Sequence, residues 1–357
     1  MSITLKTAQK MPSRATSSVR KAEQKAGPKA SRKKNRNGDS RRSSGFRRAT
    51  DALVADFSQR QPVRAGSLVI SMFGDSIAPH GGTVWLGSLI DALEPFGISQ
   101  RSVRTAVFRL SRDGWLKSEP VGRRSYYSIT PEGRGRFREA SRRIYSEPRQ
   151  QWSGQWCLVL LSSLPQDARE TVRRELKWLG FAPFNTGVMA HPAPDLSAVE
   201  ERLRDVAGAD RALLMQATID ERHAGHLGEL VREAWSLDEL GERYARFLER
   251  FRGPYRAASQ AAELSPAHAF RVRTLLIHEY RRILLRDPML PEELLPGRWD
   301  GVAAYQLCRN LYMLVSEAAE QHLSQGMETA DGPLPPAEPA FFQRFGGLAP
   351  SPGASAP

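Results

Sequence analysis

The sequence predicts a multidomain protein, mainly α-helical with one α+β portion. Three observations lead there. Residues 65–148 carry apolar residues at helical spacing, interrupted once by two short strand-like runs around a glycine. Residues 149–222 alternate strand-like and helix-like runs, whereas residues 223–328 show helical periods only. The flanks, 1–64 and 329–357, are poor in large apolar side chains and are expected to be disordered. With 357 residues the chain is long enough for more than one buried core, and its 40% hydrophobic and 25% charged content is that of a globular protein.

Residues 1–64 hold 17 Lys+Arg against 4 Asp+Glu, so the whole formal charge of +13 resides there and the remainder is balanced. Residues 66–148 are mildly positive, 12 basic against 8 acidic, and residues 149–357 are mildly negative. Positive charge at the front points to a polyanion meeting it. Arg32-Lys33-Lys34-Asn35-Arg36 and Arg41-Arg42 suit loose phosphate contact, as a weak nucleic-acid arm. A solubilising tail or a transit peptide are the other readings of that composition. No apolar run approaches membrane-spanning length, and no apolar core comes after the basic start, so neither a membrane nor secretion is expected. Cys157 and Cys308 stand far apart without metal-type spacing, which predicts a reducing cytoplasm and no metal; no Gly-rich phosphate loop stands out, so no cofactor is expected.

From Ser67 to Phe73 an apolar run predicts a helix, broken by Pro79-His80-Gly81-Gly82. Thr83 is expected to cap a second helix that buries Leu86, Leu89, Ile90 and Leu93. Phe96-Gly97-Ile98 turns into a third. There Ser99 is the N-cap, and Val103, Ala106, Val107 and Leu110 form one apolar stripe. The opposite face carries Arg101, Thr105 and Arg112, with Arg104 and Arg109 on its flanks; Phe108 also lies toward it. Asp113-Gly114 stops the helix. Two strand runs then flank Gly122-Arg123-Arg124 as a hairpin, and Thr130-Pro131-Glu132 opens a closing helix. Three helices, a hairpin and a closing helix make a winged helix-turn-helix, with the basic helix reading DNA and the hairpin as wing. The candidate DNA contacts are Arg101, Ser102, Arg104, Thr105, Arg109, Arg112, Arg123 and Arg124. The other reading is a surface helix whose arginines are solvated or paired with Asp113 and Glu94.

Trp156–Leu161 reads as a buried strand, 167–178 as a helix, 181–190 as one or two strands bending at Asn185, 196–206 as a helix and 211–217 as a last strand. That order predicts a small ferredoxin-like unit. Beyond it, Val231–Phe251, a helix opened by Ser265-Pro266, and Trp299–Leu323 are amphipathic helices. His223 and His226 are spaced i, i+3, but two ligands do not make a metal site.

Three blocks then resemble one family. GWLKSEPVGRRSYYSITPEG (114–133), ELKWLGFAPFNTGVMAHP (175–192), and HEYRRILLRDPMLPEELLPGRWDG with AAYQLCRNLY (278–312) resemble the PaaX family, the phenylacetic-acid degradation repressors. The likeness covers residues 66 to about 325 in collinear order and leaves the basic tail outside. The resemblance implies a cytoplasmic repressor built from a winged helix, a Cas2-like middle domain and a helical C-terminal domain. It also implies a homodimer that binds double-stranded operator DNA and lets go when phenylacetyl-CoA binds. On that basis His278, Arg281, Arg282 and Arg286 are candidates to meet the phosphates of an acyl-CoA; an ion pair between Glu279 and Arg282 across a helix turn is the other reading. A Cas2-like nuclease needs an acidic residue just after the first strand, where this chain has Ser162-Ser163-Leu164, so no enzyme is expected. The competing class is an architectural DNA binder without effector, for which the basic tail speaks.

Overall fold

A helix occupies much of the segment expected to be disordered. In the computed structural model, which describes residues 29–60, 65–147, 152–192, 194–204, 206–220 and 225–348, α1 runs Lys29–Gln59. The chain divides into two units, Met1–Gly38 and Asp39–Pro357; the first is described only by the helical backbone of its last ten residues. In the second, Phe46, Thr50, Leu53 and Phe57 fall at i, i+4, i+7 and i+11 and are all buried. Four inward positions are enough to seat a helix whose other faces are charged. Ion pairs hold its rim: Asp56 to Arg250 at 3.3 Å and Arg60 to Glu279 at 3.2 Å. The expected disorder of 1–64 is thus corrected for 29–60. The side chains of Arg32–Arg36 and the expected boundaries at 64, 148 and 222 lie outside the described residues.

The helix α2 (Ala65–Met72) passes into a π-turn over Phe73–Ile77 and a short 3-10 turn, Ala78–His80. Thr83 does not cap a helix. Thr83–Trp85 is a strand, β1, because Val84 is buried in the core and its backbone pairs opposite Tyr127. Next come α3 (Leu86–Leu93), α4 (Gln100–Arg112), β2 (Leu116–Val121), β3 (Arg124–Ile129) and α5 (Pro131–Tyr145). The turn into α4 uses Gly97 at φ 74°, where a side chain would also press on Ser58. The three strands form an antiparallel sheet in the order β1-β3-β2.

The middle segment runs β4 (Gln155–Leu160), α6 (Gln166–Trp178), β5 (Ala182–Asn185), β6 (Val188–His191), α7 (Leu196–Arg204) and β7 (Leu213–Thr218). Its antiparallel sheet has the order β5-β6-β4-β7, the ferredoxin-like arrangement expected. Cys157, Val159 and Met189 pack on Val172, Leu176 and Val199 in a core of its own.

The last part is helical: α8 (Leu227–Ala234), α9 (Leu237–Gln260), α10 (Pro266–Leu284) and α11 (Asp300–Gly326). The single helix expected from Val231 is broken at Trp235-Ser236. Trp235 turns onto Trp156 and Phe184 of the middle sheet, and its Nε1 donates to the Gly180 carbonyl at 2.7 Å. Buried residues of α2–α5 and of α9–α11 belong to one continuous core, so the head formed by α2–α5 is not a separate globule. The expected disorder of 329–357 is likewise corrected for 329–348. A small hairpin, β8 (Glu328–Thr329) with β9 (Gly332–Pro333), is followed by a turn at Pro339–Gly346 that buries Phe341, Arg344 and Phe345. Residues 349–357 lie outside the described residues. Among the described residues no helix is long and apolar enough to cross a membrane.

Candidate nucleic-acid interface

Ser99 starts α4 by accepting the Ser102 N–H at 3.2 Å. Val103, Ala106, Val107 and Leu110 bury one side against α2 and α3. At 100° per residue, Arg101, Thr105, Phe108 and Arg112 then fall within an arc of ~60° pointing away from the core, with Arg104 and Arg109 on either side. All six are exposed, and Ser102 is half-buried at the rim, its hydroxyl 2.9 Å from that of Ser99. Among the described residues Arg112 is the one guanidinium of this helix with an ion pair, to Asp113 at 3.2 Å, and Glu94 takes no part in one.

The tip of the β2–β3 hairpin carries Arg123 exposed, while Arg124 is held. Its guanidinium stacks 4.2 Å from the Trp85 ring centroid and donates to Glu328 at 2.7 Å. Trp85 and Glu328 are not legible in the sequence as partners of this hairpin, since one reads as a helix residue and the other as the edge of a frayed tail.

The Escherichia coli protein named "Transcriptional repressor PaaX" is 41% identical over 300 residues, which is 84% of this chain and 95% of that protein. The chain belongs to the PaaX family. Family models agree in order: PaaX-like protein over residues 64–133, PaaX protein central Cas2-like domain over 149–227, and PaaX-like protein C-terminal domain over 235–325. An uncharacterized protein from Mycobacterium tuberculosis of known structure is 23% identical with a TM-score of 0.44, covering 66% of this chain and 89% of its own. Helix α1 up to Gln59 and the segment after 325 lie outside the matched models.

In this PaaX-family chain the head is fastened to the C-terminal helices by a buried polar network. Asp75, in the π-turn, is 2% exposed at its side chain and Arg273 of α10 is 0% exposed; they meet at 3.0 Å. The Asp75 carboxylate also accepts from Tyr145 at 2.7 Å, Tyr312 at 2.9 Å and Arg344 at 3.1 Å. Arg273 donates to Glu320 at 2.6 Å, which in turn lies 2.9 Å from His80. Burial alone pushes the Glu320 carboxyl up, but Arg273 and His80 outweigh it and hold it down at about 2. Sequence reading missed this network. Its one available signal is a charge inside an apolar run: Asp75 in SMFGDSI and Arg273 in AFRVRTLLI.

The effector candidates separate. His278 is buried, its Nδ1 3.0 Å from Ser71 Oγ, and Phe57 stands edge-on to its ring. Arg281 donates to Ser71 Oγ at 3.2 Å and to the Ser67 hydroxyl and carbonyl at 3.0 and 3.1 Å. Both therefore tie α10 to α2, and the expectation that they face a ligand is corrected: their polar atoms are used in the packing. Arg282 and Arg286 stay exposed, and Arg282 sits 3.8 Å from Glu279. His223 lies outside the described residues; among those described, no group of three or more His, Cys, Asp or Glu could hold a metal ion.

Burial, and then the Arg281 and Arg282 charges, depress His278 to about 3; burial depresses His191 to about 4. The unfolded chain therefore binds more protons than the folded one below pH ~6.5. Stability is full above that pH and falls on acidification toward 4, with a slope of up to about 1.4 kcal/mol per pH unit for each buried imidazole. Urea unfolding at pH 7 and 4.5 should show this loss, and His278→Gln should flatten it. An unchanged slope in His278→Gln would mean that the imidazole protonates equally in both states.

Proposed function

We propose that this chain is a transcriptional repressor that binds double-stranded operator DNA as a homodimer, and that an aryl-acyl-CoA, most simply phenylacetyl-CoA, releases it to allow aromatic-acid catabolism. The observation that carries the DNA-binding reading is the exposed arginine face of α4, followed by a hairpin with arginines at its tip. Helix α2, strand β1, helices α3 and α4 and the β2–β3 hairpin have the order of a winged helix-turn-helix, in which α4 enters the major groove. Arg101, Arg104, Arg109 and Arg112 then contact phosphate or guanine, with Ser102 and Thr105 as shorter contacts. Arg123 and Arg124 position the wing on the backbone rather than read bases. The name of the E. coli relative supports repression. The protein works by occupancy, without a catalytic step, in the cytoplasm.

Two heads read a duplex only when their spacing matches half-sites about one helical turn, roughly 34–36 Å, apart. An acyl-CoA releases the protein if it binds better to a dimer whose heads are out of that spacing. Family likeness supports this effector, with Arg286, and Arg282 beside Glu279, as the exposed cations to meet its phosphates. The basic excess of 1–64 favours the second reading, an architectural DNA binder without effector.

A gel shift with a duplex that the protein selects from a random library, with and without phenylacetyl-CoA, separates the two. Release by the ligand is expected; binding that ignores it would favour the architectural reading. In the same assay Arg104→Ala should lose about 1–3 kcal/mol of operator binding, roughly 5- to 150-fold, with an unchanged melting temperature. Full affinity in the folded variant would remove Arg104 from the interface.

A further inference from the structure

We propose that Phe108 is a base-reading residue whose ring meets the 5-methyl group of a thymine in the major groove. This rests on the DNA-binding reading of α4. Phe108 is 67% exposed, more than any other large apolar side chain among the described residues. It stands on a regular helix, not on a loop. The other apolar positions of that helix, Val103, Ala106, Val107 and Leu110, are all buried, so the core does not lack a partner for it. No ring or guanidinium stacks on it among the described residues.

Its surroundings narrow the occupant. Arg104 precedes it by one turn, Arg112 comes one turn later, and Arg109 and Arg101 complete a ring of exposed cations, with Thr105 presenting a methyl group at i−3. A protein surface docking here needs an acidic rim around an apolar centre. A duplex supplies the matching pattern without further assumptions: phosphates on both sides for the arginines, and between them a floor of base edges. On that floor the thymine methyl is the one apolar group, which guanine, cytosine and adenine lack. A phenyl ring held in the middle of the recognition face distinguishes a T·A pair by burying that methyl, where a polar side chain at the same position would not.

The test uses the full chain and a duplex that it selects from a random library. Each thymine of the selected site is replaced singly by uracil, which removes the methyl group and keeps every hydrogen bond. Wild-type protein is expected to lose about fivefold to tenfold in affinity at one thymine per half-site. Phe108→Ala should bind the unmodified duplex more weakly by a similar factor and be indifferent to that uracil, whereas Phe108→Leu should keep part of both effects. Thermal melting should not move, because the side chain is exposed. Sequence-selective binding in which wild type and Phe108→Ala respond alike to every uracil would overturn the inference alone. So would a loss of self-association in Phe108→Ala by sedimentation, which would assign the ring to a protein contact. Failure of the full chain to select any sequence would overturn it together with the DNA-binding reading.

Discussion

A chain ending at Glu328 is expected to lose its native fold at 25 °C, although only the segment that composition marks as a tail is removed. Phe341 is buried beside His80 and Arg273, Phe345 is buried against Tyr145, Tyr305 and Tyr312, and Leu334 and Leu348 belong to the same core. Removing one buried Phe side chain from a core costs about 3–5 kcal/mol. Two of them approach the whole 5–15 kcal/mol by which domains are stable. Arg344 goes with them, leaving Asp75 and the Tyr312 hydroxyl with fewer partners. Circular dichroism melting of the truncated chain should show no cooperative transition near that of the full chain, and the dye ANS should bind it. Phe345→Ala, a milder change, should remain folded with about 3–5 kcal/mol less stability. A truncated chain that melts like the full one would return the segment to the status of a dispensable tail.

The second large effect is expected at Asp75. Replacing it by Ala leaves Arg273 and Arg344, both buried, with less compensating charge, and removes the acceptor of Tyr145 and Tyr312. Breaking one partner of a buried ion pair costs about 3–5 kcal/mol, because the remaining charge is stranded away from water. Glu320 still faces Arg273, so the lower half of that range is expected for Asp75→Ala, measured as the unfolding free energy in urea. Adding Arg344→Met should recover part of the loss, since the stranded cation is then gone; strictly additive losses would show that the two residues are not coupled. A loss below about 1 kcal/mol in Asp75→Ala would mean that water reaches the site and screens it. Because Asp75 lies in the turn between α2 and β1, the same variant loosens the seat of α2–α5, and, on the proposed DNA-binding function, its DNA affinity should fall more than that of a variant equally destabilised in the middle sheet.

Helix α4 and the ferredoxin-like unit were readable because their signals are local. Ser99, the Val103–Leu110 stripe and the glycine stop lie within one helix, and the middle strands are bounded by their own Pro, Gly and Ser residues. Thr83 misled because its cap signature is also a strand signature; pairing with Tyr126–Ser128, more than 40 residues away, decided it. Helix α1 and the residues after 328 read as tails because their apolar residues are few, and composition averages do not reveal that those few face one way.

What the sequence by itself determined is the order and type of most elements and which face of α4 is basic, since period, caps and breakers act between near neighbours in the chain. What only the tertiary structure decided is which charges remain available. It withdrew His278 and Arg281 into the α2–α10 contact, tied Arg124 to Glu328, and left Arg101, Arg104, Arg109 and Phe108 in solvent. Burial and pairing of a charge depend on partners some 200 residues distant, and no local pattern encodes those.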